Sequence, residues 1–315
     1  MRAGLDIGGT KVEAVAVDDA GDVVERITLA SRPGPGGVLR TATTAMARLS
    51  ILTGVPVAGF DVAGVGIPGV VDQASGRVEF AVNLGVERLE LGVKLSERLG
   101  IPVRVENDVR AAALGAEHLL DVHDTMAYLN VGSGMAAAVV AGGRLWTGSS
   151  GIASEIGHLP IDVDGAQCGC GQRGCIETVA SGFGVARQWR TGDALPVRSL
   201  FDAADAGDTE ARRIRGDLAR GIASAVRVLV LTIDAGTVVI GGGVTLIGEP
   251  LLDDVRAVLA QWGDESAFLE RVDLPGRVRL LPRGLPVAAV GAALVGRPCA
   301  DDSTPAQRPT AIPAA

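Results

Sequence analysis

Apolar residues run along this chain in short blocks separated by glycine-rich punctuation. Residues 3–7, 12–17 and 23–29 are three such blocks, and Asp19-Ala20-Gly21-Asp22 turns the chain between the last two. Strand-like runs joined by tight turns predict an antiparallel meander. Residues 31–37 read as a loop from their Pro and Gly content, and a helix is expected over 38–52. A buried strand at 61–67 is closed by Pro68-Gly69. A helix at 91–99 is stopped by Gly100-Ile101-Pro102. A strand at 103–105 leads into Glu106-Asn107-Asp108, and an Ala-rich helix follows over 111–120. Strands alternating with helices indicate an α/β fold.

The second half repeats this grammar. Strands are expected at 125–131, 135–140, 144–146 and 277–281, with 156–163 as a further candidate. A strand at 238–240 ends in Gly241-Gly242-Gly243. Helices are expected at 183–190, 199–204, 208–232, 250–262 and 287–296. Two glycine-punctuated hairpin openings, at 6–11 and 130–134, suggest a duplicated core with one phosphate loop in each half. Residues 298–315 are rich in Pro, Ala, Ser and Thr, the composition of a disordered tail.

Composition narrows the function. Apolar residues make up 47% of the chain and aromatics only 3%, so a sizeable core must be built from Val, Leu, Ile and Ala. A formal net charge of −8 argues against a nucleic-acid partner, which needs a clustered cationic surface. Met1 runs straight into a strand-like segment with no secretory leader, and no apolar run reaches the ~20 residues of a membrane span. A soluble cytoplasmic protein with no membrane partner is expected.

Several segments carry candidate chemistry. In Asp6-Ile7-Gly8-Gly9-Thr10-Lys11, adjacent glycines after a strand let backbone N–H groups close on a phosphate. Thr10 adds a hydroxyl, Lys11 a cation, and Asp6 a carboxylate for a magnesium ion held through water. The alternative is an ordinary Gly-Gly turn. Gly132-Ser133-Gly134 after Asn130-Val131 offers a second phosphate loop or a plain turn. Gly241-Gly242-Gly243 leaves bare backbone for a flat ligand, or is a flexible turn. Asp108, where a strand meets a helix, is placed either as a base that deprotonates an attacking hydroxyl or as a helix cap.

The most specific signal is His158 with Cys168, Cys170 and Cys175, three thiols and an imidazole that complete a closed tetrahedral zinc shell. A closed shell has no open position for water, so this zinc is expected to be structural. Glu155 and Glu177 flank the metal loop, where carboxylates can accept hydrogen bonds from sugar hydroxyls. The His158 ring nitrogen that does not bind metal is left for a ligand hydroxyl. The fourth cysteine, Cys299, stands alone, and His118 and His123 are expected to be solvated.

Taken together, these segments resemble the ROK family of bacterial sugar kinases and repressors over residues 4 to about 296. The matching stretches are Gly4-Leu5-Asp6-Ile7-Gly8-Gly9-Thr10-Lys11, Gly64-Val65-Gly66-Ile67-Pro68-Gly69, Glu106-Asn107-Asp108, Glu155-Ile156-Gly157-His158, Cys168-Gly169-Cys170 with Cys175-Ile176-Glu177, and Ile240-Gly241-Gly242-Gly243. The resemblance implies an actin-like ATPase (ribonuclease H-like) fold of two α/β domains around an interdomain cleft. Residues 1–120 would form the smaller domain, with the helix at 287–296 packing back on it. Residues 121–286 would form the larger domain with the zinc loop.

The same resemblance implies an ATP- and magnesium-dependent kinase acting on the 6-hydroxyl of a hexose, glucokinase-like. It implies Asp108 as base and Asn83, Asn107, Glu155, His158 and Glu177 on the sugar. The two glycine hairpins would hold phosphates and the Gly241 loop would line the adenosine. Substrate alternatives are an aminohexose (kanosamine) or an N-acetylated hexosamine (N-acetylglucosamine or N-acetylmannosamine), and polyphosphate is an alternative donor. A non-catalytic sugar-responsive regulator is the rival class. Family repressors place a helix-turn-helix domain ahead of the first phosphate loop, which here begins at residue 6. A homodimer is the family expectation, with a tetramer as the alternative.

Three departures from the family pattern stand out. Val109-Arg110 follows the Glu-Asn-Asp, which makes Arg110 a candidate contact to substrate or phosphate. Met135-Ala136-Ala137-Ala138 replaces a glycine-richer hairpin, and its methyl groups would narrow the approach to the nucleotide. Val86-Glu87-Arg88 occupies the place of a customary Trp after Asn83.

Overall fold

The computed structural model describes residues 1–149, 151–193 and 195–295. The tail expected at 298–315 and Cys299 lie outside the described residues. The first lobe begins with β1 (Arg2–Ile7), β2 (Lys11–Val17), β3 (Val23–Ala30), α1 (Pro35–Thr53) and β4 (Ala63–Ile67). It continues with β5 (Val70–Asp72), β6 (Arg77–Ala81), β7 (Val86–Glu90), α2 (Leu91–Leu99), β8 (Val103–Asn107) and α3 (Asp108–Leu119). The main sheet has the order β3-β2-β1-β4-β8, in which the meander is antiparallel and β4 and β8 are parallel to β1. Strands β1, β2 and β4 are buried and built largely of small and branched aliphatic residues, as central strands covered by helices must be, while the edge strand β3 is largely exposed.

The second lobe holds β9 (Met126–Val131), β10 (Met135–Ala141), β11 (Arg144–Leu145), α4 (Gly182–Gln188), α5 (Pro196–Asp205) and α6 (Thr209–Ile233). It ends with β12 (Thr237–Gly241), α7 (Glu249–Asp264), α8 (Ala267–Val272), β13 (Val278–Leu280) and α9 (Val287–Val295). Its sheet order is β11-β10-β9-β12-β13, again an antiparallel meander followed by parallel strands. The two sheets therefore share one topology, and each has its own hydrophobic core. Helix α9 leaves the second lobe and packs on β1, β2 and β4 of the first. It also crosses α3 at close range: a side chain at Gly115 would run into the Val287 carbonyl, and one at Gly291 into that of Ala111.

Some expectations fail for identifiable reasons. Residues 156–163 are not a strand. The chain makes a 3₁₀ turn at Ile156–His158 and then folds across the cysteine loop, where Ile161 N–H bonds the Gly174 carbonyl at 2.9 Å. Gly157 backs directly onto the Met135 carbonyl, which fixes that turn. Strands β5 to β7 form a small antiparallel sheet absent from the sequence reading. They are short, and Phe80 inside β6 adopts φ 57, a left-handed conformation that no strand pattern predicts.

Candidate active site between the lobes

The first glycine hairpin joins β1 to β2. Its neck is held by Gly8 N–H on the Lys11 carbonyl at 3.0 Å, and Ser31 Oγ donates to the Gly8 carbonyl at 2.5 Å. Gly9, Thr10 and Lys11 at the tip are exposed. Asn83 lies against this hairpin: a Cβ at Gly9 would sit 3.1 Å from the Asn83 carbonyl oxygen. The second hairpin joins β9 to β10. Its Gly132 and Ser133 carbonyls accept N–H groups of Gly182 at 2.8 Å and Phe183 at 3.0 Å, while Ser133 is exposed.

The glycine triplet after β12 serves three purposes. Any side chain at Gly241 would land on the Tyr128 hydroxyl. Gly242 has φ 90 and presses on the Val131 carbonyl. Only Gly243 faces open space.

Between the lobes lies a cavity of about 210 Å³, lined by Asp6, Glu13 and Asp108 on one side and Tyr128, Asn130 and Gly242 on the other. Asn107, rather than Asp108, caps α3: its Oδ1 accepts N–H bonds from Val109 at 3.0 Å and Arg110 at 3.2 Å. The Asn107 amide also donates to the Gly69 carbonyl at 3.3 Å and to Asp108 Oδ1 at 3.0 Å. Val109 N–H reaches the same Oδ1 at 3.0 Å. One oxygen of Asp108 is thus occupied, and no hydrogen bond among the described residues takes the other.

Burial pushes the Asp108 carboxyl above its ordinary range against these hydrogen bonds. Asp6 is pushed up to about 7, first by burial and then by the charges of Asp108 and Glu13. Asp6 therefore feels the Asp108 charge across the cavity. Sequence reasoning missed Glu13, which is buried and neutralised by Arg26 at 2.6 Å. Arg26 also donates to the Gly284 carbonyl at 2.6 Å, tying the segment before α9 to the first lobe.

The His158, Cys168, Cys170 and Cys175 ligand atoms all lie within 4.8 Å of one another. Sγ of Cys170 is 3.7 Å from Sγ of Cys175, and Sγ of Cys168 is 3.7 Å from His158 Nδ1. A tetrahedron with zinc–sulfur bonds of about 2.3 Å has edges of about 3.8 Å, so the donor set fits a zinc ion. The Gln172 N–H groups hold the Cys170 thiol down, to about 6, which favours the metal-binding thiolate.

Glu177 connects this knot to the second hairpin. Its Oε1 is 4.0 Å from Cys168 Sγ, and its Oε2 accepts Met135 N–H at 2.9 Å in the space that Gly134 leaves free. Glu155 is exposed, and its side chain has no partner among the described residues.

Two departures from the family pattern have surroundings that the sequence does not show. Arg110 lines another cavity, with Val70, Asp72 and Gly151. It pairs with the buried Glu106 at 3.6 Å and donates to the Gly151 carbonyl, bridging α3 to the loop that leads to Glu155. Glu106 in turn accepts the Gln73 amide and Asn107 N–H. Ala137 and Ala138 are buried in the cores on opposite faces of the second sheet, whereas Ala136 is half-buried opposite Asn130 of the cavity lining. His118 is also not simply solvated: its ring approaches the Gly21 carbonyl at 3.3 Å.

A profile of the ROK family matches residues 2–275. The chain belongs to the ROK family. It is 32% identical over 274 residues to a glucokinase of Halalkalibacterium halodurans, covering 80% of this chain and 83% of that one. It is 36% identical over 265 residues to an N-acetylmannosamine kinase of Citrobacter koseri, covering 82% and 88%. A ROK glucokinase from Streptomyces griseus, solved with glucose and AMPPNP, superposes with a TM-score of 0.73 at 30% identity, covering 93% of this chain and 98% of that one. Within the ROK family this protein is a sugar kinase with the actin-like ATPase fold. A sugar-responsive regulator is not the reading these relatives favour. No helix among the described residues is long and apolar enough to cross a membrane.

Proposed function

We propose that this ROK protein phosphorylates the 6-hydroxyl of a hexose with ATP, and that Asp108 is the base. The observation that carries the reading is the state of that carboxylate. Asp108 stands on the floor of the inter-lobe cavity with Oδ1 fixed by Asn107 and Val109 and its other oxygen free to receive a proton. Its raised affinity for protons suits a group that must take one from a sugar hydroxyl. Phosphoryl transfer otherwise needs positioning and charge stabilisation.

The two hairpins supply exposed backbone N–H groups and the Thr10 and Ser133 hydroxyls for the phosphates, with Lys11 as a nearby cation. Gly241, Gly242 and Gly243 lie beside the path of the adenosine, with Gly243 offering the open backbone. Asp6 would hold a magnesium ion through water, and that ion when bound to ATP offsets the charge of the triphosphate. Asn83, Asn107, Glu155, His158 and Glu177 would bind the sugar. His158, Cys168, Cys170 and Cys175 would hold a structural zinc ion that keeps the Glu177 and His158 side chains at the cleft. The lobes would close over the substrates and exclude water. We place the protein in the cytoplasm as a homodimer.

Glucose is the first substrate to test. N-acetylmannosamine is the second, because the N-acetylmannosamine kinase of Citrobacter koseri is the more identical of the two curated relatives cited above. A steady-state assay across glucose, mannose, kanosamine, N-acetylglucosamine and N-acetylmannosamine, with ATP or polyphosphate as donor, identifies both substrates. Asp108→Asn should lower kcat on the accepted sugar by about 10²- to 10⁴-fold, the usual worth of a positioned base. Full turnover by that variant would sink the mechanism.

A further inference from the structure

Tyr128 belongs to no motif that pointed to this site, yet its hydroxyl opens into the cavity between the lobes. The residue is 3% exposed. Its neighbours on β9, Ala127 and Leu129, face the core of the second lobe, so the alternation of the strand turns Tyr128 to the opposite face, where its ring packs among Ala112, Val239 and Val287 and lines the cavity. The ring runs beneath the end of β12, and Gly241 lacks a side chain at the point where the hydroxyl passes.

Among the described residues the hydroxyl has no hydrogen-bond partner. The oxygen is not fully enclosed either, so a ligand in the cavity can reach it. It lines the same cavity as Asp6 and Asp108 and lies within the electrostatic reach of both. Burial, and then those two carboxylates, push the phenol above its ordinary range, so it keeps its proton at neutral pH and can act as a donor.

We propose that the Tyr128 hydroxyl is a further catalytic residue, which donates a hydrogen bond to a non-bridging oxygen of the phosphoryl group in transfer. A donor aimed at charge that develops in the transition state lowers the barrier without tightening ground-state binding. The proposal rests on Asp108 marking the point of phosphoryl transfer. The glycine at 241 then has a second meaning, since it clears the way for a hydroxyl as well as for a nucleotide.

The test is Tyr128→Phe in the full-length protein, assayed with its best sugar and magnesium–ATP beside Asp108→Asn. Tyr128→Phe should lower kcat by about 10- to 100-fold, near the low end for loss of one transition-state donor. KM for sugar and ATP should stay within about twofold. Calorimetric affinity for ADP should be unchanged, while affinity for ADP with aluminium fluoride and sugar, which mimics the transferring group, should fall in proportion to kcat. The melting temperature should hold, because the hydroxyl makes no hydrogen bond among the described residues that the variant could lose.

A kcat within about twofold of wild type, or an unchanged aluminium fluoride affinity, would overturn the proposal. So would a kcat loss accompanied by a lower melting temperature, which would mark a structural role. Gly241→Ala, which displaces the hydroxyl but keeps the phenol, should reproduce the kcat loss. Full turnover by Asp108→Asn would remove the premise that phosphoryl transfer occurs at Asp108, whereas an inactive Asp108→Asn beside a fully active Tyr128→Phe would overturn the tyrosine proposal alone.

Discussion

Glu177 Oε2 accepts the backbone N–H of Met135 at 2.9 Å, so a carboxylate beside the cysteine knot holds the first residue after the second glycine hairpin. One side chain therefore ties the proposed sugar side to the proposed phosphate side. Glu177→Gln keeps an oxygen that can accept the Met135 N–H, whereas Glu177→Ala leaves that N–H unpaired. Both variants should raise the sugar KM about tenfold or more through loss of a charge-assisted bond. Only the alanine variant should also raise the ATP KM. Separate KM determinations for the two substrates check this, and equal ATP values for both variants would refute the link.

The acids of the cleft make stability depend on pH. Asp6 is raised to about 7 in the folded protein, and Asp108 is raised as well. Between about pH 4 and pH 7 the folded state keeps protons that the unfolded chain has already released, so stability falls as pH rises through that window. Magnesium-free protein should melt at progressively lower temperature from pH 4 to pH 7, and Asp6→Asn should flatten the curve. Differential scanning fluorimetry across that range is the measurement. Parallel curves for the two proteins would count against a charged Asp6 as the cause.

The pH profile of kcat/KM should carry an acid limb above the ordinary carboxylate range, because burial raises Asp108. Asp108→Asn should remove that limb along with most of the rate. An acid limb near the ordinary Asp value of about 4 would show that the free enzyme's base is solvated and lies elsewhere.

The cysteine knot fits a zinc ion whose binding energy is folding energy. Cys175 is fully buried, and Cys175→Ser should abolish stoichiometric zinc and lower the melting temperature by several degrees. Elemental analysis with thermal melts, before and after treatment with a strong chelator, tests it. Full stability without metal would make the knot dispensable.

Arg110 is a further test of packing. Glu106 is 1% exposed, and Arg110 is the cation beside it. Arg110→Ala should cost roughly 3–5 kcal/mol, the usual effect of leaving a buried charge unpaired. Adding Glu106→Gln should restore much of that loss. Chemical denaturation of the single and double variants measures the coupling.

Most of the fold could be read from local pattern. The β1–β2 hairpin, the helix stopped by Gly100 and Pro102, and the long α6 each follow from periodicity and punctuation that neighbouring residues carry themselves. The cysteine knot was equally legible, since its ligands lie within 18 residues of chain and form a donor set that suits zinc. What stayed hidden depends on partners distant in sequence. The Glu106 and Gly151 partners of Arg110 come beside it only in the folded chain. The alanines at 137 and 138 look like obstacles until β10 is seen to bury both.

The class of chemistry is written in the chain: Asp6 near the end of the first strand and Asp108 just after a later one, glycines where phosphates must approach, and three thiols with one imidazole at metal spacing. Only the tertiary structure decided that Asp6, Glu13, Asp108 and the Tyr128 hydroxyl share one cavity. Residue types and short spacings are written along the chain. Which faces meet depends on two sheets from separate halves closing on one another through α3 and α9, and a linear pattern does not encode that contact.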